Sequence, residues 1–125
     1  MNIRHFRELD VYQRAKTSAL EISMIGKGFP ADEKYSLTDQ IRRASRSVCT
    51  NIAEAWRKRK YPAAFVAKLS DSLAEASETQ VWLEFALAHQ YVAQEAFDRL
   101  DEEYEHICAM LVKMSDRPQD WLLRG

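Results

Sequence analysis

The chain has 125 residues, 46% hydrophobic and 30% charged, with a formal net charge of −1. That length builds one domain with a modest core, and that composition excludes a disordered or fibrous chain. Near-neutral charge excludes a uniformly basic nucleic-acid coat, and no apolar run approaches the roughly 20 residues of a membrane span.

Four helical segments are expected in one domain over residues 1–125. Only three Gly and three Pro interrupt the chain, and its Ala, Leu, Glu, Lys and Arg favour helix. The first helix is expected at about 6–25, with Leu9, Tyr12, Ala15, Ala19, Ile22 and Ile25 near helical spacing. Gly26 and Gly28 read as its terminating glycines, and Phe29-Pro30 as the turn. The second helix is expected at about 32–59. The third, at 62–89, starts on Pro62, whose missing N–H costs nothing in a first turn. Tyr91-Val92 makes a tight connection to a fourth helix at 93–114. A tail, 115–125, carries Trp121 and is either a docked apolar anchor or a loose end. Short connections force neighbouring helices antiparallel, so the expected fold is all-α, an up-down-up-down four-helix bundle. The opening MNIRHFRELD lacks the apolar core of a secretory signal. The expectation is a soluble, cytoplasmic protein whose Cys49 and Cys108 are reduced.

Charge is unevenly placed. Residues 42–60 hold seven Lys and Arg against Glu54 alone, and residues 71–105 hold ten acids against Arg99 alone. On the second helix, Leu37, Ile41, Ala44, Val48, Ile52 and Ala55 fall in one arc, the core seam. Arg42, Arg46, Arg57 and Lys60 fall together on the other side. From Arg42 to Arg57 that strip covers about 22 Å at ~1.5 Å per residue. Guanidinium forks suit phosphate oxygens, so the strip is a candidate RNA- or DNA-binding face. The more ordinary reading of such a charge run is a solvated face, or one paired with acids of a neighbouring helix. No aromatic platform interleaves with it, which argues against sequence-specific single-strand readout.

Gln40, Ser47, Asn51 and Glu54, with Arg43 at the edge, form a separate polar stripe. Ser and Asn are middling helix formers. A row of them predicts a polar seam against the third helix, where Glu75 and Glu78 are candidate partners of Arg43. The third helix places Phe65, Leu69, Leu73, Ala76, Leu83 and Leu87 inward, yet Val81, Trp82 and Phe85 form a second apolar patch turned away. A helix apolar on two sides touches two things. The patch is expected to meet another subunit, or else to lie under the Trp121 tail. With the bipolar charge, the first option suggests unlike surfaces meeting head to tail, which closes a ring or extends a filament.

Chemistry finds little support. Glu103 and His106 have the Glu-x-x-His spacing of di-metal bundles, but His106 falls well off the fourth helix's core arc of Ala96, Leu100, Tyr104, Ile107, Leu111 and Met114, and a second pair is absent. There is no phosphate-binding Gly-rich loop and no nucleophile elbow. No catalytic residue, metal, cofactor, membrane partner or small-molecule substrate is expected.

The motifs resemble a family of bacterial four-helix-bundle proteins first noticed as products of intervening sequences within large-subunit ribosomal RNA genes. Its pattern matches Phe6, Leu9, Val11, Tyr12 and Ala15, then Phe29, Pro30, Glu33 and Tyr35. It continues through Leu37, Gln40, Ile41, Arg42, Arg43 and Ala44, and through Ser47, Val48, Asn51, Ile52, Ala53 and Glu54. Ser72, Leu73, Glu75, Glu78 and Thr79 carry its third-helix signature. The family's Gly after Asn-Ile-Ala-Glu is Ala55 here, followed by Trp56, so the second helix is expected to run on without a break. The resemblance implies an up-down bundle that assembles as a ring, with pentamers expected. Fold-related proteins act beside reverse transcriptases in diversity-generating retroelements and bind nucleic acid through basic surfaces. By analogy, the expectation is a non-enzymatic, ring-forming, nucleic-acid-binding accessory protein, or alternatively a protein-binding scaffold.

Overall fold

The computed structural model describes residues 3–123. Met1 and Asn2, and the last two residues of the expected tail, Arg124 and Gly125, lie outside them. Four helices carry the fold among the described residues: α1 (Asp10–Gly26), α2 (Leu37–Arg57), α3 (Pro62–Ala88) and α4 (Gln94–Asp116). Short 3-10 turns lie at Phe6–Glu8, Ala31–Glu33 and Pro118–Asp120. Each helix packs on the next, and α4 returns to α1.

Contacts at two heights fix the directions. On α1 and α4, Arg14 meets Glu103 while the later Glu21 meets the earlier Arg99. On α2 and α3, Ser72 reaches Val48 while Lys68 reaches Glu54. Partner numbers that run in opposite senses mean antiparallel neighbours. One end of the bundle therefore gathers the α1–α2 and α3–α4 turns, where the Phe29 and Tyr91 rings pack 5.5 Å apart. The other end gathers the N-terminal turn, the α2–α3 turn and the tail.

The helix boundaries depart from the periodicity for local reasons. The expected first helix begins late because Leu9 is extended (φ −65°, ψ 129°), which swings its side chain into the core. The second begins at Leu37, not 32. After Pro30 the chain makes a 3-10 turn, and the Glu33 carboxylate accepts the Ser36 hydroxyl at 2.6 Å and the Leu37 N–H at 3.4 Å. Glu33 thus satisfies an orphan donor at the helix start. At the far end α2 passes unbroken through Ala55 and Trp56, both buried, and stops at Arg57. Tyr61 must then be extended ahead of Pro62 (φ −119°, ψ 100°).

Gly26 is the last residue of α1 and Gly28 follows it, yet neither takes a left-handed φ. The left-handed residue is Gln90, at φ 64° after α3. Its N–H donates to the Leu87 carbonyl at 2.9 Å, and the Tyr91 N–H to the Ala86 carbonyl at 2.8 Å. That is the paired bonding of a Schellman ending with Gln in the usual glycine place.

All six expected core residues of α2 are buried. On α3, Phe65, Leu69, Ala76 and Leu83 are buried, but Leu73 and Leu87 are only half-buried. Ser72 and Thr79 occupy the core instead. Their hydroxyls donate to helix carbonyls, Ser72 to Val48 at 2.8 Å and Thr79 to Glu75 at 2.9 Å. Small hydroxyl residues let helices approach closely without stranding a buried polar group.

Candidate functional site

The outward face of α2 divides the basic strip. Arg46, Arg57 and Lys60 are exposed, as are Arg43 and Lys58. None of the five forms an ion pair among the described residues; Lys68, Arg14, Arg99 and Arg117 hold those. Arg42 behaves differently. It turns under α1, where its Nη2 donates to the Ser23 carbonyl at 3.2 Å. Its Nε is buried without a hydrogen-bond partner. Gly26 adjoins this guanidinium, and a Cβ there would stand 3.6 Å from Arg42 Nε, at ordinary contact distance. Arg42 is therefore tied to the last turn of α1, where cations suit exposed carbonyls.

The strip ends in a broader basic cluster. Arg7 and Arg57 both lie over the Phe6 ring, at 4.8 and 5.8 Å from its centroid. Arg59 stacks on Trp56 at 3.4 Å and donates from Nε to the Trp56 carbonyl at 2.7 Å. Burial and the nearby Arg57 charge both pull the Arg59 pKa below its ordinary value. The charge bias along the sequence thus becomes a basic end of the bundle, built by the N-terminal turn and the α2–α3 turn.

Gln40, Arg43, Ser47, Glu75 and Glu78 line one open cleft of about 440 Å³ between α2 and α3, with Arg46 on its rim. Asn51 donates from Nδ2 to the Ser47 carbonyl at 2.9 Å and to the Ser47 Oγ at 3.1 Å. Burial raises the Glu75 carboxyl pKa and the neighbouring Glu78 adds to it, while Arg43 and Ser47 pull the other way. Arg43 makes no direct ion pair with either acid, and Glu78 instead accepts the Trp82 indole N–H at 3.2 Å. Glu54 pairs with Lys68 at 3.5 Å. Lys68 was missed by the sequence reading, although its place four residues before Ser72 and seven before Glu75 put it on the face of α3 that meets α2.

The apolar patch of α3 is open. Phe85 is 51% exposed and Val81 44%. Trp82 is half-buried, and its ring packs 5.9 Å from Phe85. Trp82 and Phe85 share a second cleft, about 370 Å³, with Tyr35, Gln40 and His89. The described part of the tail does not cover it. Trp121 packs at the opposite end, lining a mostly apolar cleft of about 390 Å³ with Ile3, Leu9, Val11, Met110 and Met114. The tail is a docked anchor there, with the Leu123 N–H donating to the Arg59 carbonyl at 3.4 Å.

Cys49 and Cys108 are free thiols, and burial pushes the Cys49 thiol up to about 11. Glu103 accepts from Arg14 at 3.1 Å, and His106 is exposed. No cluster of three or more potential metal ligands occurs among the described residues. No described helix is long and apolar enough to cross a membrane.

The described residues form an all-helical bundle whose α2–α3 face carries a polar cleft, an exposed apolar patch and exposed cations that form no ion pair among them. The family model described as 23S rRNA-intervening sequence protein matches residues 7–113, and the chain belongs to that family. A crystal structure of a protein of unknown function from the S23 ribosomal protein family of Bacteroides thetaiotaomicron is similar, with a TM-score of 0.77 and 27% sequence identity over 85% of this chain and 95% of that one. No curated protein matches the chain.

Proposed function

We propose that this protein is a non-enzymatic, cytoplasmic accessory protein that assembles as a homo-oligomeric ring, five subunits being the expected number, and binds RNA or DNA phosphates through the basic face and end of α2. The observation that carries this reading is the set of exposed cations Arg43, Arg46, Arg57, Lys58 and Lys60, none in an ion pair among the described residues. A strip neutralised by its own neighbours offers little to a phosphate backbone; this one is not so neutralised. Arg42 drops out of the binding set, and Arg43 takes its place on the exposed face.

Titrating labelled structured RNA and double-stranded DNA at low and physiological salt, followed by anisotropy, tests it. Phosphate binding weakens steeply with salt. Absence of binding at low salt would leave the second reading, an oligomeric protein-binding scaffold. The uncovered Val81 and Phe85 favour that alternative, since an exposed apolar patch marks an interaction surface as readily for a foreign partner as for another subunit.

A further inference from the structure

We infer that the surface complementary to the α3 patch is the outer stripe of α1, so that α1 of one copy docks beside α3 of the next. This assignment rests on the proposed ring assembly and names its two faces. Leu20 and Met24 are 60% and 63% exposed on α1. With Lys16 they recur every four residues, which aligns them on one face. Lys27 follows at the end of the same face, so two exposed apolar side chains lie between two exposed cations. The α3 patch has acids at the corresponding positions, beside the cations Arg43 and Arg46 of the adjoining cleft. Glu78 precedes it, and the turn carrying Glu33 adjoins its cleft.

The heights match. Gly26 and Ala88 end α1 and α3 at the same end of the bundle, where Phe29 packs on Tyr91. Lys16 lies ten residues before Gly26, and Glu78 ten before Ala88. At ~1.5 Å per residue both sit about 15 Å from that end. Copies related by rotation about an axis along the bundle keep these heights. Lys16 of one copy then meets Glu78 of the next, Leu20 meets Trp82, and Met24 meets Phe85. Lys27 falls level with the Glu33 turn. A two-fold contact of either patch with itself would instead set like charges together, whereas unlike patches give a heterologous, repeating contact.

Sedimentation velocity on the full chain, with circular dichroism to confirm folding, tests the assignment. Wild type is expected to be oligomeric and Leu20→Glu/Met24→Glu monomeric but fully helical. Lys16→Glu and Glu78→Lys are each expected to weaken assembly about tenfold, and the double reversal to restore it, because each contact then carries the pair with its signs exchanged. An oligomer unaffected by the α1 substitutions would overturn the assignment while leaving the ring. Loss of assembly with no rescue by the double reversal would overturn the α1–α3 pairing. A monomeric wild type would overturn both the pairing and the ring.

Discussion

Arg42 and Ser23 join α2 to the last turn of α1, the guanidinium Nη2 donating to the carbonyl at 3.2 Å. The neighbouring Arg43 and, one turn on, Arg46 are exposed along the α2–α3 cleft. Adjacent arginines of one helix therefore do different things.

Their substitutions should separate accordingly. Arg42→Ala is expected to lower stability by roughly 1–3 kcal/mol, since a half-buried charge-assisted bond is lost from α1. Arg46→Glu should leave stability within about 0.5 kcal/mol, as exposed substitutions do. It should weaken nucleic-acid binding and reduce the salt slope by about one phosphate contact. Urea denaturation and salt-dependent anisotropy on the same two variants read both effects. Arg42→Ala that melts like wild type would remove the anchoring role.

Two glycine exchanges should both stabilise. Gln90 holds a left-handed φ of 64° that Gly adopts freely, so Gln90→Gly is expected to gain roughly 1 kcal/mol. Gly26 is helical, and a Cβ there meets its neighbours at 3.6 Å, ordinary contact distance. Gly26→Ala should therefore gain about 0.4–1 kcal/mol by restricting the unfolded chain. Thermal unfolding measures each. Destabilisation by Gly26→Ala would mean that Arg42 cannot share its space with a methyl group.

Tyr104 is fully buried, and its hydroxyl has no hydrogen-bond partner. An unsatisfied buried hydroxyl is a cost, so Tyr104→Phe should leave stability unchanged or raise it by up to about 1 kcal/mol. Burial raises the Tyr104 pKa. The folded state keeps the proton while the unfolded chain releases it near the ordinary value of about 10. Stability is thus complete below that pH and falls above it, and Tyr104→Phe should make the alkaline fall shallower. Denaturation midpoints between pH 8 and 11 follow both effects; a clear loss in the Phe variant would reveal a partner for the hydroxyl.

Glu33 has the opposite sign. Bonds from the Ser36 hydroxyl and then from the Tyr91 hydroxyl, at 2.9 Å, hold its carboxyl below the usual carboxylate range. Its contribution is present above the ordinary carboxylate pKa and is lost as pH falls through the depressed one. Glu33→Gln should lower stability at pH 7 and flatten the acid limb of the stability profile, which thermal melts from pH 3 to 7 would show. An unchanged acid limb would leave the turn without this tie.

Periodicity alone determined the four helices and nearly all of the α2 seam, because a helix must bury one stripe and the stripe is written at 3.6-residue spacing. Family motifs in α2 and α3 carried the bundle and the family with it. The role of each outward residue depended on where the neighbouring helices lie. Arg42 and Arg43 differ by about 100° around one helix, so either fits an outer face until α1 is placed; only packing put Arg42 under α1 and left Arg43 in the cleft. The same holds for Ser72 and Thr79, whose polarity suggests solvent but whose small size and hydroxyl bonds suit the close α2–α3 contact. The helix ends at Leu9, Leu37 and Arg57 were set by an extended cap, by the Glu33 carboxylate and by the residue preceding Pro62. Trp121 could read as a loose end or a cover for the α3 patch; the tertiary structure placed it at the far end and left Phe85 open, since its short tail leaves α4 where the α2–α3 turn, not the α3 patch, lies within reach.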